Sequence, residues 1–319
     1  MDDISAARIT LKNTWLLNPA REKDFCSRIG SLVETDMQTL DKILDTLAED
    51  EMLHLVVPGQ DHRVMRSRIS YRVHKDPLPA HSFILLSDVW VACPELWLSE
   101  LALGFSPIGY LKLLGMAFGG FTPNVASETG LDQRNFPLTT PQAMERFLSS
   151  AKNIPGSNAA KRLLSLAPVG AESPQEVNLF LRLTLPCRWG GRGIPAPLVN
   201  PKLVLDAKTQ VALGKGSLRP DLFWPEQRLC IEYDGKLHSE PDKICKDAAR
   251  RNFLLSKGVK VITVTSEQMS NPHQFEELVK TICKITGTRY FSPESKRGSK
   301  IRWLEHELRT NSVTRQIFG

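Results

Sequence analysis

The stretch Arg219-Pro-Asp-Leu-Phe-Trp-Pro-Glu-Gln-Arg-Leu-Cys-Ile-Glu-Tyr-Asp-Gly-Lys-Leu-His238 decides how the C-terminal half of this chain is read. Leu229 to Tyr233 is apolar and aromatic and is entered from the turn-forming Pro225-Glu-Gln-Arg, so it reads as a strand. Side chains of a strand alternate faces, which puts Glu232 and Asp234 on one side, with Lys236 next along it, and Ile231 and Tyr233 on the other. Two carboxylates on one strand face repel each other, and a lysine and a histidine follow closely. Such a cluster calls for a cation. A hard divalent ion such as Mg2+ prefers carboxylate oxygens and keeps several waters, which suits Asp221, Glu232 and Asp234 as ligands if their strands are neighbours. It would acidify a bound water and clamp a phosphate oxygen, with Lys236 or His238 handling the proton or the growing charge. That is the chemistry of phosphodiester hydrolysis.

Outward from this stretch the pattern is α/β. Ser173-Pro174-Gln175-Glu176 opens a helix running to Leu185, since Ser is a good N-cap, Pro fits the first turn and Glu three residues on completes a capping box. Gly190 to Pro201 reads as a loop, and strands are expected at Leu203 to Leu205, Leu218 to Phe223 and Leu229 to Tyr233. A helix from Asp242 to Lys257 ends at Gly258, a buried strand covers Val259 to Val264, and a helix covers Pro272 to Ile285. The order is helix, three strands, helix, strand, helix. A tail from Ser295 carries Lys296, Arg297, Lys300 and Arg302, then a short helical stretch around Trp303 to Leu308.

The N-terminal half has another rhythm. Apolar residues from Ile29 to Leu47 recur at helical spacing. Leu53 to Val57 and Ile69 to Val73 read as strands, and helices are expected at Pro94 to Leu103, Pro107 to Phe118, Pro141 to Lys152 and Ala159 to Leu166. Leu85 to Phe121 reads as buried core helices, and Phe121 to Thr139, rich in Pro, Thr and Asn, as a loop. The expected organisation is an α+β N-terminal domain over 1–166, a second domain over 167–290 and a basic tail over 291–319.

Composition sets bounds on partners and compartment. The 319 residues, 41% of them hydrophobic, suffice for two cores, and Lys plus Arg exceed Asp plus Glu by 41 to 35, a net charge of +6. A pI near 9.0 suits a polyanionic partner. The six cysteines form no C-x-x-C pair, which argues for reduced thiols in a cytoplasmic protein and against a structural zinc site. Met1 to Thr10 lacks the apolar core of a signal peptide, and Asp88, Glu95, Glu100 and Lys112 interrupt the most apolar region. No membrane span is expected.

With these residues in view, Pro220-Asp221 followed by Ile231-Glu-Tyr-Asp-Gly-Lys-Leu-His238 resembles the active-site signature of PD-(D/E)XK nucleases, and more closely their very-short-patch-repair-like endonuclease branch. The likeness covers about Ala167 to Ile285. It implies a restriction-endonuclease-like core and a Mg2+-dependent DNA endonuclease in which Mn2+ substitutes. By the same resemblance Asp221 is the central metal ligand, Glu232 or Asp234 the second acid, Glu176 the acid of the first helix, and His238 a proton-transfer group. Either Lys236 is the catalytic lysine, as Asp234-Gly-Lys236, or this branch has given that role away. The region Leu53 to Tyr110, with Val57-Pro58-Gly59, His81-Ser82-Phe83 and Cys93-Pro94-Glu95, faintly resembles the C-terminal region of AbiEi-type antitoxins.

Each residue also has a plainer reading. Ser173-x-x-Glu176 is a complete capping box without catalysis, Asp221 suits a turn after Pro220, and Asp234-Gly235 is a common strand ending. Lys243, Lys246, Arg250, Arg251, Lys257 and Lys260 are either phosphate contacts or a solvated helix face. Two functions follow: a DNA endonuclease in repair, phage defence or a toxin-antitoxin-like system, or a catalytically inactive, DNA-binding, antitoxin-like regulator. DNA is the expected partner, with a homodimer mate or a cognate toxin-antitoxin-type protein beside it.

Overall fold

The computed structural model describes residues 15–17, 44–45, 53–57, 59–60, 63, 66–86, 89–124, 127, 130–205, 210, 216–235, 251–295 and 298–310. It is a mixed α/β structure. The described residues up to Ala167 form one compact unit, and Pro168–Thr310 form a second.

In the first unit, β1 (Trp15–Leu17), β2 (Leu53–Val57), β3 (Ile69–Val73), β4 (Phe83–Leu86) and β5 (Val89–Ala92) form one sheet in the order β3-β2-β1-β5-β4. β1, β2 and β3 run parallel, and β5 is antiparallel to both β1 and β4. Helices α1 (Pro94–Leu101) and α2 (Pro107–Ala117) follow, then the small hairpin of β6 (Phe121–Pro123) and β7 (Leu131–Gln133), then α3 (Pro141–Ser150) and α4 (Ser157–Leu164). Ser106 and Thr140 cap α2 and α3 through their side chains, and proline stands in the first turn of each. Helix α2 is buried on every side from Ile108 to Ala117, as its nearly uninterrupted apolar sequence requires.

Two expectations change here. Leu85, Leu86 and Val89–Ala92 lie in the paired strands β4 and β5 and not in a core helix. Residues 121–139, expected as loop, contain the β6–β7 hairpin, with Arg134 threaded under it and donating to the carbonyls of Phe121 and Met116. Of the expected helix between Ile29 and Leu47, Leu44 and Asp45 are helical and the rest lies outside the described residues.

The second unit opens with α5 (Pro174–Thr184). Ser173 caps it, its hydroxyl accepting from the Glu176 amide at 3.2 Å. A single 3-10 turn, Cys187–Trp189, and Gly190 with φ 87 redirect the chain. Strands β8 (Leu198–Val199), β11 (Leu222–Trp224), β12 (Leu229–Asp234) and β13 (Lys260–Thr265) build a four-stranded sheet in the order β13-β12-β11-β8. β8, β11 and β12 are antiparallel neighbours, whereas β12 and β13 are parallel. A parallel pair needs a crossover, and residues 251–256 supply helix before Gly258, at φ 73, turns the chain into β13. Among the described residues, β9 (Leu203–Val204) and β10 (Ser217–Leu218) pair with each other alone. The strand expected over Leu218 to Phe223 is therefore split, because Pro220 has no N–H for the ladder and Asp221 bends.

Helices α6 (Ser266–Ser270), α7 (Pro272–Thr286) and α8 (Gly298–Thr310) complete the unit. Asn271 accepts from the amides of His273 and Gln274 to start α7, and Gly287, at φ 69, ends it. The stretch expected as a basic tail thus includes α8, whose Ile301, Leu304 and Leu308 are buried. The core of the sheet is Leu222, Leu229, Ile231 and Val264, all fully buried. Each such side chain contributes about 1.5–3 kcal/mol relative to exposure.

Candidate active site

The register of β11 and β12 sets Leu222 against Ile231 and Phe223 against Cys230. Alternation puts Glu232 and Asp234 on the face of Cys230, where Phe223, Cys230, Leu254 and Val261 form one apolar cluster. Asp221 lies in the bend that precedes β11. From β13 the pairing adds Thr263 beside Glu232 and Thr265 beside Asp234. Apolar packing therefore floors this face toward the start of β12, and its last turn of residues turns polar and accessible: Glu232 is half-buried and Asp234 exposed.

Asp221 is held where the strands part. Its Oδ2 accepts the Tyr233 backbone N–H at 2.6 Å, and its carbonyl accepts the Asn200 N–H at 3.0 Å. The Cys230 thiol approaches Glu232 Oε1 at 3.5 Å, a weak contact. A cation reaches the same face: the Arg251 guanidinium donates to Thr263 Oγ1 at 2.9 Å, on the residue paired with Glu232. Arg251 is exposed and available to an anion.

Glu176 stands apart from the acid row and is buried in a polar knot. Its carboxylate accepts from the Glu172 amide at 2.8 Å, the Ser173 hydroxyl at 2.7 Å and the Asn200 carboxamide. Burial pushes its pKa up, against the lowering effect of those three donors. Asn200, buried and at φ 48, also donates to the Gly170 carbonyl, so it ties the start of α5 to the backbone of Asp221. Glu176 is thus linked to the backbone of Asp221 through Asn200. Arg219 adds an ion pair to Glu172 at 2.6 Å, half-exposed and of little energetic weight.

Lys236 and His238, the expected lysine and proton-transfer group, lie outside the described residues, as do Lys243, Lys246 and Arg250. Sequence reasoning placed Arg251 only in a general basic set and missed Asn200 altogether. Asn200-Pro201 carried a signal, since Asn tolerates left-handed backbone, but nothing local tells that its amide meets Glu176.

A fit test for Mg2+ turns on donor number. Among the described residues, no group of three or more His, Cys, Asp or Glu side chains is gathered tightly enough to cage a metal. The Asp221 carboxylate accepts the N–H of Tyr233, the residue between Glu232 and Asp234. One or two carboxylates with waters and substrate phosphate completing the shell is the usual Mg2+ arrangement, and these residue types suit it. No protein family, curated protein or solved structure matches the chain. Among the described residues no helix is long and apolar enough to cross a membrane.

Proposed function

We propose that the second unit is a Mg2+-dependent endonuclease of the PD-(D/E)XK kind that hydrolyses phosphodiester bonds in DNA, with Mn2+ able to substitute. The observation that carries this reading is the shared face of Glu232 and Asp234 at the end of β12, with the Asp221 carboxylate on the Tyr233 N–H between them and Arg251 reaching the strand beside it. The order α5, β8-β11-β12, crossover helix, β13, α7 supports a restriction-endonuclease-like core. Asp221 and Glu232 would hold the ion, which when bound supplies an acidified water and a clamp on a phosphate oxygen. The Tyr233 N–H fixes one oxygen of Asp221 and so orients the other, and Asn200 fixes its backbone. Arg251 stands where a phosphate oxygen over Glu232 gains a charge-assisted hydrogen bond. Lys236 and His238 are the proposed groups for proton transfer.

The test is cleavage of supercoiled plasmid by the whole chain, with Mg2+ and with chelator. Metal-dependent nicking that disappears in Glu232→Gln supports the reading, and nicking indifferent to chelator rejects it. A second reading is favoured by one observation: Asp221 already spends an oxygen on a backbone N–H, and no three-residue metal group is formed among the described residues. It takes the protein as a DNA-binding, antitoxin-like regulator on a retired nuclease fold. Retained DNA binding without cutting in either metal would select it. A dimer that presents two sites, or a cognate toxin-antitoxin-type protein, is the proposed protein partner.

A further inference from the structure

Asp221 follows Pro220, which has no N–H for a strand ladder, and stands in the bend before β11. Its backbone is therefore held from a neighbouring segment. The Asn200 N–H reaches the Asp221 carbonyl at 3.0 Å, one residue past the pairing of Val199 with Leu222.

Asn200 is itself constrained. It is buried, and its φ of 48 lies in the left-handed region, which asparagine enters more readily than most residues but keeps only where its surroundings hold it. Here the side chain does the holding. The carboxamide donates to the Gly170 carbonyl at 3.0 Å and to the Glu176 carboxylate, which the Glu172 amide and the Ser173 hydroxyl fix in turn. From the other direction Arg219, two residues before Asp221, donates to the Asn200 carbonyl at 3.4 Å and pairs with Glu172 at 2.6 Å. The N–H, the carbonyl and the carboxamide of Asn200 are thus all engaged, and they join the start of α5 to the chain on both sides of Pro220.

An aspartate side chain is short, so its carboxylate goes where its backbone goes. The Asp221 Oδ2 bond to the Tyr233 N–H, at 2.6 Å, leaves little slack. Mg2+ demands near-ideal geometry from its ligands, and residues that orient a ligand are commonly worth 10–100-fold in metal affinity. We infer that Asn200 is a positioning residue for the Asp221 carboxylate: anchored on Glu176 and Gly170, it holds the backbone from which that carboxylate reaches the Tyr233 N–H and the metal. The metal half of this inference rests on the nuclease reading above, and the hold on the Tyr233 N–H does not.

Asn200→Gly is the informative variant, because glycine keeps the left-handed backbone and the N–H and removes the carboxamide alone. Two readouts on the full chain apply: amide hydrogen exchange at Tyr233, and calorimetric titration with Mn2+ in the absence of DNA. Exchange is expected to quicken by about tenfold and Mn2+ binding to weaken by about tenfold or more. Asn200→Asp sets a second carboxylate against Glu176 and should do at least as much. Adding Glu176→Gln to it reverses the hydrogen bond, with position 176 now donating, and should recover part of both readouts. Val279→Ala opens a cavity at a fully buried position of α7 and touches none of these bonds, so it should leave both near the parent values. Unchanged exchange and Mn2+ affinity in Asn200→Gly overturn the inference, as do equal losses in Val279→Ala or quickened exchange with Mn2+ affinity kept. A parent chain that binds no Mn2+ rejects the nuclease reading instead, and exchange at Tyr233 then decides the role of Asn200 by itself.

Discussion

Glu176 shows how one residue serves two readings and how they are separated. Its capping box is legible in Ser173-x-x-Glu176, because the interaction is local and three residues long. The Asn200 carboxamide that also binds it is 24 residues away and reaches it only through the fold. Burial raises the Glu176 pKa, so the folded state holds its proton more tightly than the unfolded state. The resulting stability is present below the ordinary glutamate range and is lost as pH rises through the raised value. A Glu176→Gln variant does not titrate, so the wild-type melting temperature should fall relative to the variant's as pH climbs through that window; thermal melts at stepped pH check this, and a constant difference would refute it. Replacing Ser173 with Ala removes the cap and is expected to cost about 1 kcal/mol, measured by urea unfolding.

At the scale of elements, strand β12 carries both core residues and the proposed acids. Ile231 is fully buried, and Ile231→Ala should destabilise the unit by about 2–5 kcal/mol in denaturant titration. Arg251 and Thr263 sit where β13 lies beside Glu232, and Arg251→Ala should weaken DNA binding while lowering the salt slope by about one, read from binding isotherms at several salt concentrations. Period-two alternation made the shared side of Glu232 and Asp234 readable before any fold was known. The β4–β5 hairpin was not readable in the same way: Phe83 to Ala92 is an almost unbroken apolar run, in which helix and strand cannot be told apart by period. The three-residue strands β6 and β7 are too short for any period, and Pro123 weighs against a strand. Leu203-Val204 looks like a strand of the main sheet, but pairing is a tertiary choice, and it pairs with Ser217-Leu218 instead.

At the scale of the molecule, two compact units each carry their own core: Leu111, Leu113 and Leu114 of α2 in the first, and Leu222, Ile231 and Val264 in the second. Calorimetry should accordingly show Leu114→Ala and Ile231→Ala lowering different transitions; a single transition moved equally by both would contradict this. The composition made a two-core chain with a net charge of +6 legible. The cavity of about 760 Å3 lined by Tyr233 was not, because its walls come from four helices and one strand that only the fold assembles. The central claim is that the Asp221 carboxylate serves a metal and not just the turn it occupies. Asp221→Asn keeps an oxygen for the Tyr233 N–H and removes the charge, so the fold is preserved while the proposed ligand is lost. The most direct measurement is plasmid cleavage in Mg2+ by the parent chain and by this variant at equal stability. The account predicts cutting by the parent and a loss of at least about a hundredfold in Asp221→Asn; equal cutting by both, or none by the parent, would contradict it.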